Sequence, residues 1–211
     1  LAALLASRSG RPVKLRLDRD EDMVATGKRH GFQFRWEAAC DEAGRLLGLK
    51  LEMAANCGFS ADLSGPVTDR TLCHVDNAYY LDAVSIRSLR CKTHTVSNTA
   101  FRGFGGPQGM FLIETVLDDI ARHLGRDPLA VRQANFYDVV PGPRSTTHYG
   151  MTVEDNVAPA LVDQLARDSD YAARRAAIAE FNAASPVIKR GLALTPIKFG
   201  ISFNATHYNQ A

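Results

Sequence analysis

The sequence predicts an α+β fold in which antiparallel or mixed strands pack against helices. Two observations carry this prediction: apolar and polar residues alternate in much of the first half, and apolar residues recur at helical spacing after it. The 211 residues, 45% of them hydrophobic, suffice for a buried core without disulfide bonds. No internal repeat is visible, and the length predicts one domain or two small ones.

A short helix and a strand are predicted first. The apolar run at residues 1–7 indicates the end of a helix, which Gly10 caps and beyond which Pro12 blocks continuation. Residues 13–17 alternate apolar and charged side chains, which predicts a half-buried strand. The charge cluster at residues 18–22 is interpreted as a solvated loop.

An antiparallel hairpin with one apolar face is predicted next. Residues 32–36 and 47–53 alternate apolar and polar side chains, and the turn between them ends at Gly44, where positive φ is favoured. Residues 56–77 are rich in Gly, Ser and Asp and are interpreted as irregular. Strand character returns at residues 84–93.

Two consecutive helices carry clear start and stop signals. Apolar residues keep helical spacing from Pro107, which suits a first helical position, to Gly125, which suits a C-terminal cap. The second helix has Asp127 as its N-cap and Pro128 in its first turn.

The last third of the chain predicts two further helices and a strand. The helices are expected near residues 154–167 and 171–184, and strand character returns at residues 191–209. A domain junction is expected between residues 137 and 152.

Composition excludes several classes of protein. The 25 basic and 23 acidic residues leave a net charge of +2, too little for a polybasic nucleic-acid or membrane surface. No apolar run approaches the roughly 18–20 residues that cross a bilayer. The cysteines form no CxxC pair or metal-ligand spacing and predict buried thiols in a reducing cytoplasm: Cys40, Cys57, Cys73 and Cys91.

The sharpest local signal is the Phe-Arg-Gly-Phe-Gly-Gly-Pro-Gln-Gly run at residues 101–109. Its glycines permit close backbone approach, and it leads into a helix N-terminus that favours an anion. Arg102 adds a cationic fork, and Phe104, flanked by glycines, can present its ring to a ligand. The run matches neither GxGxxG nor a P-loop. Taken alone, the run is equally compatible with a ligand-binding loop and with a tight strand-to-helix turn that leaves Arg102 solvated. Arg70, taken alone, suggests a surface residue or a partner of Asp69.

Several long motifs in the same order resemble the molybdenum-binding part of the xanthine dehydrogenase family of molybdenum hydroxylases. The resemblance covers residues 1–211, and the Asn-Thr-Ala-Phe-Arg-Gly-Phe-Gly-Gly run is its most specific part. The motifs lie at residues 18–23, 26–30, 97–109, 127–132 and 190–203.

This resemblance implies hydroxylation of hypoxanthine and xanthine to urate at a molybdenum–molybdopterin cofactor. The metal is expected to have no direct protein ligand, because the pterin dithiolene supplies the ligation. Electrons would pass through 2Fe–2S clusters and FAD to NAD. The implied partners are the remainder of the molybdenum subunit, an iron–sulfur/FAD subunit or domain, and a purine, in a dimer of catalytic units.

The resemblance also implies site residues. Arg102, Gly103, Phe104 and Gly105 would belong to a loop that approaches the cofactor. Phe104 and Phe203 would hold the purine ring.

Arg70 would hydrogen-bond a purine oxygen and stabilise the charge that develops there. Asn204 stands where the family usually has Thr, so this part of the substrate pocket is expected to differ.

The same resemblance predicts a division of the chain. Residues 1–140 would be the C-terminal part of a first cofactor-binding subdomain, and residues 141–211 linker helices and the start of a second. The general-base glutamate is implied upstream of Leu1, and neither Glu114 nor Glu154 is a substitute for it. The isolated chain is therefore expected to be inactive.

Two alternatives remain open. The parent could be an aldehyde oxidase or another azaheterocycle hydroxylase, which an arginine at position 70 disfavours for simple aldehydes. The chain could also be a non-catalytic binding or assembly module that shares the fold.

Overall fold

The computed structural model describes residues 1–200, which contain three strands and seven helices. The strands are β1 (Phe32–Cys40), β2 (Leu46–Gly58) and β3 (Ala83–Lys92). The helices are α1 (Ala2–Ser9), α2 (Arg19–Ala25), α3 (Ser64–Cys73), α4 (Gly106–Leu124), α5 (Pro128–Asn135), α6 (Ala158–Asp168) and α7 (Tyr171–Ala184). The predicted α+β class is confirmed.

The strands form one mixed sheet in the order β1-β2-β3. β1 and β2 are antiparallel, and β2 and β3 are parallel. The predicted hairpin is confirmed, and its turn places Gly44 at φ +84°. The side chain of Asp41 closes the turn by accepting hydrogen bonds from the backbone N–H groups of Ala43 and Arg45.

Helix α4 supplies much of the core that covers the sheet. Its apolar stripe is buried together with one face of β2, as the 3.6 and 2.0 periodicities of the two elements require. The predicted caps are present: Gly125 has φ +63°, and the Asp127 side chain accepts from the Leu129 N–H. The buried stripe of α4 includes Leu112, Ile113, Val116, Leu117 and Ile120.

An ion-pair network ties α4 to α5 beneath this core. The Arg132 side chain, 3% exposed, places Nε 2.6 Å from Glu114 Oε2 and Nη2 2.8 Å from Asp118 Oδ1. Glu114 Oε1 accepts from the Tyr79 hydroxyl at 2.5 Å and from the Asn77 amide at 2.8 Å. Burial, followed by the nearby Glu114 carboxylate, raises the pKa of Tyr79, so its hydroxyl stays protonated and donates. Glu114 is thus held in a structural role.

Two predictions for the N-terminal segment are wrong. Residues 13–17 form no strand, because no neighbouring strand pairs with them, and Leu15 and Leu17 are largely exposed. Residues 18–22 are not a loop but begin α2. The Asp18 side chain accepts from the Glu21 N–H at 2.8 Å, and Glu21 accepts from the Asp18 N–H at 3.3 Å. This reciprocal capping box supplies the start signal.

The prediction that residues 56–77 are irregular is also wrong, because this segment contains the end of β2 and all of α3. Pro66 falls in the first turn of α3, where its missing N–H costs nothing. Thr68 and Thr71 are fully buried, and their hydroxyls donate to backbone carbonyls within α3. Packing against α4 and the sheet, rather than helical periodicity, therefore stabilises α3.

The last third of the chain agrees only in part with prediction. Helix α7 occupies the predicted residues, and α6 starts four residues later than expected. Residues 191–200 do not form the predicted strand; Leu194 packs into the core, and the Lys198 N–H donates to the Asn77 side chain instead of to a strand. The rest of that prediction, residues 201–209, lies outside the described residues. Throughout residues 1–200, every helix is too short or too polar to cross a membrane.

Candidate functional site

Arg70 and Phe104, which lie 34 residues apart in the sequence, line the same open cleft of about 900 Å³. Its walls are α3, the glycine loop (residues 101–106) and the chain around residues 149–151 and 198–200. The other two predicted pocket residues, Phe203 and Asn204, lie outside the described residues.

The glycine loop turns sharply at the mouth of α4. Gly103, Phe104 and Gly105 have φ values of +90°, +49° and +99°. Positive φ is uncommon for a bulky residue such as Phe104 and costs about 1–3 kcal/mol. Two turn hydrogen bonds brace the loop, from Phe104 N–H to Phe101 and from Gly106 N–H to Gly103. This bracing holds Phe104 at the cleft.

The loop glycines are required by internal packing, whatever else the loop binds. A Cβ on Gly103 would lie 2.5 Å from Pro107 Cγ, and one on Gly105 would lie 2.1 Å from the Val67 carbonyl oxygen. The space beside these two glycines is therefore filled by α3 and α4. Within residues 1–200, neither they nor the exposed Arg102 line the cleft.

A Gly105→Ala substitution is expected to lower the free energy of unfolding by about 2–3 kcal/mol, because it combines strain at positive φ with a backbone clash. Gly125→Ala is the matched control, since Gly125 has positive φ but open space around its Cβ position. It should cost about 1 kcal/mol. Urea denaturation followed by circular dichroism measures both, and equal losses would contradict the packing account.

Arg70 lies in the last turn of α3. Its guanidinium carbon is 4.7 Å from the ring centroid of Phe199, and its Nη2 donates to the Gly200 carbonyl. Burial lowers the pKa of Arg70, but an arginine remains charged at the pH at which proteins work. The cleft thus contains a cation that is held against an aromatic ring.

His74 lies one helical turn beyond Arg70. Its Nδ1 is 3.0 Å from the Arg70 carbonyl oxygen, and its Nε2 is 3.4 Å from the Gly200 nitrogen. The imidazole also packs on Phe199, with 5.3 Å between ring centroids. Burial lowers the pKa of His74, which favours the neutral imidazole.

A buried carboxylate anchors Lys198, which lines the cleft. Asp76, which is 1% exposed, accepts from Lys198 Nζ at 2.7 Å and from the Tyr137 hydroxyl at 2.7 Å. Arg90, another cation at the cleft, is paired with Asp69. Carboxylates therefore neutralise the charges of both Lys198 and Arg90 locally.

Sequence reasoning missed His74, Phe199 and Lys198. The sequence does contain a signal for His74, because it follows Arg70 by four residues, and this spacing places both residues on one face of a helix. Phe199 and Lys198 carry no such signal, since their position depends on contacts with residues more than 120 positions away.

Buried polar atoms near the glycine loop indicate where a polar group fits. Arg29 donates from Nη2 to the Arg102 carbonyl at 2.6 Å, and Gln108 donates from Nε2 to the His30 carbonyl at 3.2 Å. Arg29 Nη1 and Gln108 Oε1 are buried without a hydrogen-bond partner among residues 1–200. Such a donor and acceptor fit a polar cofactor beside the loop. The described residues contain no cluster of metal-ligating side chains.

Comparison with known proteins gives a consistent result. The family described as "Molybdopterin cofactor-binding domain" matches residues 1–136. The whole chain is 42% identical to xanthine dehydrogenase and 43% identical to nicotinate hydroxylase hnxS, both from Emericella nidulans. It spans 15% and 16% of the length of these two relatives.

A solved structure supports the same assignment. The aldehyde oxidoreductase from Desulfovibrio gigas matches 88% of this chain and 19% of its own, with a TM-score of 0.73 and 29% identity. The sequence and the fold therefore agree, and the chain belongs to the molybdopterin cofactor-binding domain family found in xanthine dehydrogenases and related molybdenum hydroxylases.

Proposed function

We propose that this chain supplies substrate-pocket and cofactor-loop residues to a molybdenum hydroxylase that oxidises hypoxanthine and xanthine to urate. The observation that carries the proposal is the placement of Arg70 and Phe104 at one cleft. An aromatic ring and a cation together suit a planar heterocycle that bears an exocyclic carbonyl oxygen.

When bound, molybdenum–molybdopterin supplies the oxygen-transfer and two-electron chemistry. Arg70 donates hydrogen bonds to the purine oxygen, and this interaction strengthens as negative charge develops there. Phe104 holds the purine ring. We assign Phe203 and Asn204, which lie outside the described residues, to the same substrate pocket. The protein thus orients the substrate while the cofactor performs the oxidation.

The glycine loop is proposed to face the cofactor through Arg102, Gly103, Phe104 and Gly105. The unsatisfied Arg29 Nη1 and Gln108 Oε1 beside the loop support a polar group at this place. We assign residues 1–140 to the end of one cofactor-binding subdomain and residues 141–211 to linker helices and the start of the next.

The remaining redox groups belong to the rest of the proposed parent enzyme. The parent enzyme would contain the remainder of the molybdenum subunit, 2Fe–2S clusters and FAD, and it would pass electrons to NAD. We expect it to act as a dimer in the cytoplasm.

A second candidate is a hydroxylase for an azaheterocyclic carboxylate. The identity to the nicotinate hydroxylase is as high as that to xanthine dehydrogenase. A guanidinium at position 70 suits a carboxylate as well as it suits a purine oxygen.

Steady-state kinetics of the parent enzyme test the proposal. Xanthine is expected to have a higher kcat/KM than nicotinate or an aromatic aldehyde under identical conditions. A higher value for nicotinate would support the second candidate, and a higher value for the aldehyde would contradict both.

A further inference from the structure

We propose that His74, as a neutral imidazole protonated on Nδ1, is a positioning residue that holds Arg70 and residues 199–200 together at the cleft. Protonation of His74 would release this arrangement and weaken substrate binding in acid. The inference rests on the proposed substrate contact of Arg70.

The two hydrogen bonds of His74 define its tautomer. The Arg70 carbonyl, 3.0 Å from Nδ1, can only accept, so Nδ1 carries the proton. The Gly200 N–H, 3.4 Å from Nε2, can only donate, so Nε2 must be unprotonated. An imidazolium satisfies the first bond and loses the second.

The Gly200 peptide links His74 back to Arg70. Its N–H is the donor to His74 Nε2, and its carbonyl accepts from Arg70 Nη2. Loss of the hydrogen bond to His74 therefore allows Gly200 to move, and the carbonyl of Gly200 is the acceptor that holds the Arg70 guanidinium.

Ring packing couples the same residues a second time. Phe199 contacts the imidazole of His74 on one side and the guanidinium of Arg70 on another. A Cβ on Gly106 would lie 2.6 Å from Phe199 Cε2 and 3.4 Å from His74 Cδ2, so the start of α4 closes the cluster. Movement of His74 is transmitted to Arg70 through Phe199.

The surrounding charges oppose an imidazolium here. After burial, the Arg70 and Lys198 cations lower the pKa of His74, whereas the Arg70 carbonyl and the Asp76 carboxylate raise it. The positive N-terminal end of α4 packs on the same ring and also disfavours a second cation. The adjacent Cys73 thiol adds no negative charge, because burial raises its pKa.

The direction of the pH dependence follows from this depressed pKa. The arrangement is complete above the ordinary histidine value of 6.5 and is lost as the pH falls through the lower pKa of folded His74. Substrate affinity should therefore fall on the acid side, through a rise in KM.

The test uses three variants of the full parent enzyme. His74→Gln keeps an acceptor but cannot titrate, and His74→Leu keeps bulk but cannot accept. His148→Gln is the matched control, because His148 also hydrogen-bonds to the α3 backbone, at the Leu72 carbonyl rather than at the Arg70 carbonyl.

The kinetic readout is KM for xanthine between pH 8 and pH 5. In the wild type and His148→Gln, KM should rise about fivefold as His74 protonates, the loss expected for one hydrogen bond. His74→Gln should keep a wild-type KM at pH 8 and lose the rise, and His74→Leu should show the raised KM at every pH.

Hydrogen exchange of peptides that contain Gly200 gives a readout independent of turnover. After correction for intrinsic rates, protection should fall with pH in the wild type and be absent at every pH in His74→Leu. Unchanged protection and an unchanged pH profile of KM in both His74 variants would overturn the inference.

Failure of the proposed function gives a different result. Replacement of Arg70 would then leave xanthine kinetics unaffected, whereas failure of the His74 inference alone leaves the Arg70 variant defective. Protection that follows His74 while KM does not would also overturn the inference, because the contact would exist without positioning Arg70.

Discussion

Replacement of Arg70 by methionine in the parent enzyme is expected to lower kcat/KM for xanthine by about 10²–10³, the loss typical of one donor to a developing oxyanion. Methionine keeps an unbranched apolar side chain against Phe199 but removes the guanidinium that faces the cleft. Steady-state kinetics on xanthine and on an aromatic aldehyde measure the effect.

The two substrates separate this role from a general defect. Aldehyde turnover should change far less, because a simple aldehyde presents no second oxygen to Arg70. Arg87→Met serves as the protein control, since Arg87 is exposed on β3 and paired with Glu52. Equal losses on xanthine and the aldehyde would contradict the role assigned to Arg70.

Replacement of Glu114 by glutamine is expected to destabilise the 211-residue chain by about 3–5 kcal/mol, because it removes the main partner of the buried Arg132 cation. The Tyr79 hydroxyl and the Asn77 amide would also lose a charged acceptor. Urea denaturation followed by circular dichroism measures the difference.

Asp118→Asn is the matched control on the same helix. Asp118 also pairs with Arg132, but its side chain is 40% exposed, so water compensates its removal and the cost should stay below about 1 kcal/mol. Similar losses for the two variants would show that burial of Glu114 does not determine its contribution.

The elements predicted correctly are those whose signals are local. The hairpin follows from the strict alternation of apolar and polar residues and from a glycine at positive φ. The two central helices follow from helical periodicity together with their caps, because Gly125 ends α4 and Asp127 begins α5. These features depend on residues a few positions apart, which a sequence displays directly.

The errors have different physical causes. The start of α2 carries an Asp-x-x-Glu capping box, but the same run of charged residues also suits the solvated loop predicted from the sequence. Residues 13–17 alternate apolar and polar side chains as a strand does, but no neighbouring strand pairs with them. Alternation alone does not supply a pairing strand. Helix α3 has weak periodicity, and its burial against α4 and the sheet decides its structure.

For the candidate site, the residue types and the family resemblance can be identified without a structure: an arginine at position 70, a Phe-Arg-Gly-Phe-Gly-Gly loop, and no metal-ligand spacing. The folded chain is needed to show that Arg70 and Phe104 share a cleft, that Gly105 is held against the Val67 carbonyl, and that His74 contacts Gly200. The last contact joins residues 126 positions apart. Chain folding, and not local pattern, brings such residues together, because the free energy that holds them comes from burial of the core between them.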